Sequence, residues 1–157
     1  MKTFEEIEAY AAKHFVPIAR KDFVEYFKNL IKENNYHEVL EIGSAIGYTT
    51  CHLALMDDVY VTTIEYNTER HNLCVENIND MNVSHKVLAI HDDALEVFIS
   101  QKFDVIFIDA AKAKNIKFFE KYTACTNLTD KIHTKEKAAG LFQTGGSKRL
   151  LTTLTPM

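Results

Sequence analysis

Between residues 20 and 34 the apolar side chains fall at Phe23, Val24, Phe27, Leu30 and Ile31. Steps of three and four residues predict one buried stripe on an amphipathic helix. Phe4 to Phe15 predicts another helix before it, with Pro17 at the join. The period then changes. Val39-Leu-Glu-Ile42 is a short apolar run that ends at a glycine and predicts a buried strand. Residues 47–56 follow as a helix, and the β-branched run Val59 to Ile64 as a second strand. Residues 67–81 predict a helix with Leu73, Asn77 and Ile78 near one face. Lys86 to Ile90 is a third strand, and 94–101 a short helix. Phe103 to Ile108 is the fourth and most apolar strand, and a helical stretch runs on through Tyr122. Strands alternating with helices predict an α/β fold, a doubly wound parallel sheet with right-handed crossovers. Such sheets bind ligands at the carboxyl ends of their strands. The positions to watch are therefore Glu41 to Gly47, Glu65, Asp92-Asp93, and Asp109 to Lys112.

The pattern weakens beyond residue 123. No later run has the quality of the first four strands, which leaves the fourth expected at an exposed sheet edge. Charge changes at the same place: residues 1–123 hold 13 Lys+Arg against 20 Asp+Glu, and residues 124–157 hold 5 against 2. We expect a domain over 1–123, with N-terminal helices in 1–35 and an α/β core in 36–123, then a divergent tail over 124–157. At 157 residues the chain has the length of one domain. Its net charge of −4 gives no general pull toward nucleic acid or anionic membrane. No apolar run reaches the roughly 18 residues of a membrane span. The charged N-terminus gives no secretory signal. Cys51, Cys74 and Cys125 are scattered, as reduced thiols of a cytoplasmic protein are. The seven histidines show no metal-ligand spacing, and neither a nucleophile elbow nor a phosphate-binding loop is present.

Glycine is the informative residue. Of five, only Gly43 and Gly47 fall in the first 139 positions, both in the turn Glu41-Ile-Gly-Ser-Ala-Ile-Gly47. Backbone freedom there lets a ligand approach closely at a helix N-terminus, although a tight turn without a ligand has the same pattern. The G-x-x-x-G spacing lacks the middle glycine that admits a pyrophosphate, so it favours a nucleoside without phosphates. Glu41 would repel a diphosphate and suits an ammonium. Glu65, 22 residues after Gly43, can accept both ribose hydroxyls. Asp92 and Asp93 either cap the helix expected at 94 or lie beside a base. Asp109 at the tip of the fourth strand can ligate a hard cation or cap the next helix. Lys112 is either a base or a solvated lysine.

Val39 to Thr50, Thr63-Ile-Glu65, Asp92-Asp-Ala94 and Phe107-Ile-Asp-Ala-Ala-Lys112 together resemble the cation-dependent O-methyltransferases. These are the catechol and caffeoyl-CoA O-methyltransferase relatives and the bacterial branch that includes a tRNA 5-hydroxyuridine methyltransferase. Ala11 to Ile18 resembles the entry segment of that branch, so the likeness spans about residues 5 to 123. It implies a Rossmann-like sheet of the class I methyltransferase type that binds S-adenosylmethionine. By position, Glu41 and Gly43 would line the methionine end, and Gly47, Tyr48 and Thr49 would complete the turn around the cofactor. Glu65 would hold the ribose, Asp93 and Ala94 would border the adenine, and Asp109 would lie beside the cofactor. Asp109 would also be the first ligand of a divalent cation (Mg²⁺), and Lys112 the base that deprotonates the acceptor hydroxyl. The acceptor would be a phenolic small molecule or a hydroxyuridine of tRNA; the family is commonly dimeric.

The resemblance stops after Thr123. The family continues with a glycine turn, another strand and an Asp-Asn pair that completes the metal site; no Asp-Asn follows Asp109 here. We expect the reading frame to have been lost near codon 124, leaving a truncated or frameshifted relative. Two other functions stay open: a catalytically inactive cofactor-binding remnant, and an NAD-binding oxidoreductase, which the glycine spacing disfavours.

Overall fold

The computed structural model describes residues 2–110, 114–126 and 132–134. Two helices lead, α1 (Phe4–Lys13) and α2 (Lys21–Glu33), followed by β1 (Glu38–Ile42), α3 (Tyr48–Ala54), β2 (Tyr60–Glu65) and α4 (Thr68–Asp80). Then come β3 (Val87–His91), β4 (Val105–Ile108), α5 (Asn115–Tyr122) and β5 (Ile132–Thr134). All strand pairs are parallel, in the order β3-β2-β1-β4-β5. The doubly wound parallel α/β sheet read from the sequence is therefore the observed architecture.

Alternation along the strands divides the core in two. Val39, Val61, Val105 and Phe107 face the layer of α1 to α4, where Ile7, Phe27, Ile31, Leu53 and Ile78 pack against them. Phe107 holds that layer to the sheet, with its ring centroid 5.1 Å from those of both Phe23 and Phe27. On the opposite face, Leu40, Ile42, Ile64, Ile106 and Ile108 pack against Phe118 and Tyr122 of α5. The N-terminal layer starts from a capping box: Thr3 Oγ1 accepts from Glu6 N at 3.3 Å, and Glu6 Oε2 accepts from Thr3 N at 2.7 Å.

Two expectations are corrected. The helix expected at 94–101 is absent; a turn follows Asp93 and the chain then runs without regular structure to 102. Leu95, Val97 and Ile99 pack against the second core cluster, while Glu96, Phe98 and Ser100 are exposed. That is a period of two. A helix would bring only part of this set to the sheet, whereas extended backbone buries all three. The fourth strand is also not an edge: Ile106, Phe107 and Ile108 pair with Ile132, His133 and Thr134 of β5, beyond residue 124. Three residues are too short for periodicity to reveal, and backbone pairing with β4 makes them a strand.

Candidate active site

The site lies where the strands end at their carboxyl termini. After Ile42 the backbone turns through Gly43 at φ +91°, with Gly43 N donating to Ile64 O at 2.8 Å. Asp109 N donates to Ile42 O, also at 2.8 Å, so the ends of β2, β1 and β4 are tied around the turn. A Cβ at residue 43 would stand 2.7 Å from Asp109 O, which requires glycine on steric grounds as well as by φ. Gly47, at φ +81°, enters α3 packed on α4; a Cβ there would meet Cys74 Sγ at 2.8 Å.

Glu65 closes the turn from the other side. Its Oε2 accepts from Ala45 N at 2.9 Å and its Oε1 from Asn67 N at 3.0 Å, one bond to each oxygen. Each oxygen keeps a further lone pair for a ligand hydroxyl. Asn67 caps α4, its side chain accepting from Arg70 N at 3.0 Å. Past β3, Asp93 Oδ1 accepts from Leu95 N at 2.9 Å, and Oδ2 pairs with Lys114 Nζ at 3.3 Å. The Leu95 amide, more than the lysine, holds the Asp93 carboxyl below its usual range.

A cavity of about 400 Å³ opens between these elements. Gly43, Glu65, Asp93, Ala94 and Asp109, all predicted site residues, are on its wall, as is Asp92. Ala45, inside the glycine turn, is there too, and Pro17, Tyr66, Arg70, Lys114 and Phe118 join them without having been predicted as site residues. Lys114 and Phe118 are one helical turn apart just after the Asp109 loop, a spacing that carried a signal. Arg70 had none, because only the start of α4 turns its side chain toward the cavity.

Of the other predicted residues, those described are not on this wall. Glu41 is buried behind it, 1% exposed, its Oε2 accepting from the hydroxyls of Thr50 and, at 2.8 Å, Thr63. Burial pushes its pKa up to about 7 despite those bonds, with the charges of Asp109 and Glu65 adding to the rise. Tyr48 donates to Glu8 Oε1 at 2.7 Å and meets Phe4 edge-on, holding α3 to α1. Thr49 is buried in α3. Lys112 lies outside the described residues.

Among the described residues four carboxylates line the cavity (Glu65, Asp92, Asp93 and Asp109) against two basic groups, one of which is paired to Asp93. That balance favours a cationic ligand. Ile42, Ile64, Ala94 and Phe118 add apolar wall suited to a base. S-adenosylmethionine, with a sulfonium, an ammonium, a ribose and no phosphate, fits this set. Among the described residues no group of three or more His, Cys, Asp or Glu could hold a metal ion.

Residues 2–131 match the model of an O-methyltransferase family. The chain belongs to that family. An Arabidopsis thaliana protein assigned as a caffeoyl-CoA O-methyltransferase is 34% identical over 103 residues, which are 61% of this chain and 44% of that protein. A Staphylococcus aureus structure with the same assignment superposes with a TM-score of 0.76 at 37% identity, covering 82% of this chain and 64% of the other. A Bacillus cereus O-methyltransferase, solved in complex with SAH, gives 0.72 at 26% identity, covering 82% and 64%. The chain thus spans less than half of the plant relative and under two thirds of these bacterial O-methyltransferases. The structural neighbours share the parallel sheet and its flanking helices with this family member. No helix among its described residues is long and apolar enough to cross a membrane.

Proposed function

We propose that this chain binds S-adenosylmethionine in the cavity and belongs to an enzyme that transfers its methyl group to a hydroxyl of a small phenolic molecule. The observation that carries the reading is Glu65, which faces the cavity with each carboxylate oxygen fixed by one backbone amide and open to one ribose hydroxyl. Gly43 brings its backbone to the methionine end. Asp93 and Ala94 flank the adenine, and Asp109 lies beside the reacting end. Glu41 acts from behind, its hydroxyl-bonded carboxyl adding negative potential when ionised. The Bacillus cereus relative, with SAH bound, supports the cofactor assignment.

The chemistry is an in-line displacement. The acceptor hydroxyl gives up its proton to Lys112, the oxygen forms a bond to the methyl carbon, and the carbon–sulfur bond breaks to leave neutral S-adenosylhomocysteine. Lys112→Ala is expected to lower turnover while leaving cofactor affinity intact; equal loss of both would remove Lys112 from the role of base.

Calorimetric titration of the 157-residue chain with S-adenosylmethionine, with and without Mg²⁺, tests the reading. Micromolar binding supports it and makes an acceptor screen worthwhile, with catechol-type phenols on one arm and tRNA on the other. Folded protein that binds neither S-adenosylmethionine nor S-adenosylhomocysteine refutes it. Binding without methyl transfer to any acceptor identifies a cofactor-binding chain without activity.

A further inference from the structure

The wall at Asp92 to Ala94 continues into a segment, through Val97, that has an unusual support. In place of a helix, the segment after β3 has a single turn, in which Glu96 N and Val97 N donate to Asp93 O at 2.8 and 3.1 Å. The bonds that anchor this segment to another element come from α5 and its ends. Lys121 Nζ donates to Leu95 O and Val97 O, both at 2.6 Å. Tyr122 donates its hydroxyl to Ala94 O at 2.6 Å, and Lys114 Nζ pairs with Asp93 Oδ2 at 3.3 Å. Three side chains on one face of α5 and its N-cap thus fix four of the five positions from Asp93 to Val97, all but Glu96. The same helix begins just after the loop that carries Asp109, on the opposite wall of the cavity.

We propose that Lys114 and Lys121 are positioning residues that set the purine selectivity of the cavity, by holding Asp93 and the 93–97 turn against the base. The proposal rests on S-adenosylmethionine being the ligand. Asp93 offers one spare lone pair on each oxygen, which suits the amino group of adenine and opposes the carbonyl of hypoxanthine at the same ring position. Leu95 N fixes Oδ1 and Lys114 fixes Oδ2, so the carboxylate plane is set before the ligand enters. Lys121 satisfies two carbonyls of an extended segment that makes no ladder of its own. Without it, the turn below Asp93 has no cationic tie to the helix.

The experiment compares binding of S-adenosylhomocysteine and S-inosylhomocysteine to the full chain and to the variants Lys114→Met, Lys121→Met and Lys121→Arg. Methionine keeps most of the aliphatic stem and removes the donor, and thermal melting establishes that each variant is folded. The wild type is expected to prefer the adenosyl ligand by at least about tenfold. Each methionine variant should cut that preference by at least about threefold, chiefly by weakening the adenosyl ligand, and Lys121→Arg should restore it. Exposed Lys114→Met gives the answer even if Lys121→Met does not fold. A preference unchanged in the methionine variants, including one kept while both affinities fall together, overturns the proposal, because a merely structural tie moves both ligands alike. Wild type that binds both ligands equally leaves the cofactor reading standing and overturns this inference alone. Wild type that binds neither overturns both.

Discussion

Glu41 and Glu65 stand near the carboxyl ends of adjacent parallel strands, yet their partners give them different work. Glu65 is held by two backbone amides at the cavity wall, whereas Glu41 lies behind it with hydroxyl partners only. Glu65→Ala is expected to weaken S-adenosylmethionine binding by more than about tenfold, or about 1.4 kcal/mol, read by calorimetry. An unchanged dissociation constant would refute the ribose role. Glu41 makes its prediction through stability. Its folded-state pKa of about 7 stands above the ordinary 4.5, so between those values the folded protein keeps a proton that the unfolded chain has released. Its contribution is complete below about 4.5 and is lost as pH rises through about 7. Glu41→Gln removes this dependence. Relative to wild type, the variant should gain on the order of 3 kcal/mol in urea unfolding between these two values. A difference that stays constant with pH would show that Glu41 titrates normally. His52 acts in the opposite direction: burial lowers its pKa to about 4, so its contribution is lost as pH falls from 6.5. Comparing the variant with wild type at each pH cancels that slope.

At the scale of elements, the glycine turn combines two requirements. Gly43 makes room for the backbone of Asp109, and Gly47 makes room for Cys74 on α4. From sequence, both glycines pointed to close approach by a ligand; the structure gives Gly47 a helix-packing reason that the spacing could not reveal. Gly47→Ala should destabilise by about 1–3 kcal/mol, from φ strain and from the contact with Cys74. Cys74→Ala in the same chain should recover the steric part and leave the strain, a coupling that a double-mutant cycle in urea measures. Additive effects would show that Cys74 is not the obstacle. The 94–101 segment teaches a related lesson. Its alternation at Leu95, Val97 and Ile99 was present in the sequence, but the expected β-α rhythm favoured a helix there. What decided against the helix was the sheet face beneath it together with Lys121 above, and neither is local.

For the whole molecule, the two faces of the sheet carry separate apolar clusters. Among the described residues, twenty-one buried residues form the cluster on the α1–α4 side and ten the cluster beneath α5. β5 pairs with β4 through three residues. A chain shortened after Thr126 is expected to unfold at a lower temperature and to associate in sedimentation velocity, because an apolar parallel strand would be left with an open edge. A monomer of unchanged stability would show that β5 contributes little to either property.

The sequence by itself determined the first four strands and most of the helices between them, the parallel sheet, and the turn positions that form the cavity. Those signals are local: apolar period, glycine placement, and acidic residues directly after strands. Gly43, Glu65, Asp93, Ala94 and Asp109 were legible because parallel strands deliver their carboxyl ends to one side. Tertiary structure alone decided that Glu41 would be set behind the wall, that Tyr48 would hold α1, and that Arg70, Lys114 and Phe118 would join the cavity. It also decided that three residues beyond position 124 would pair with β4 as a further strand. These outcomes depend on which helix packs on which face. That choice follows from contacts between residues far apart in the chain, where neither spacing nor composition carries the information.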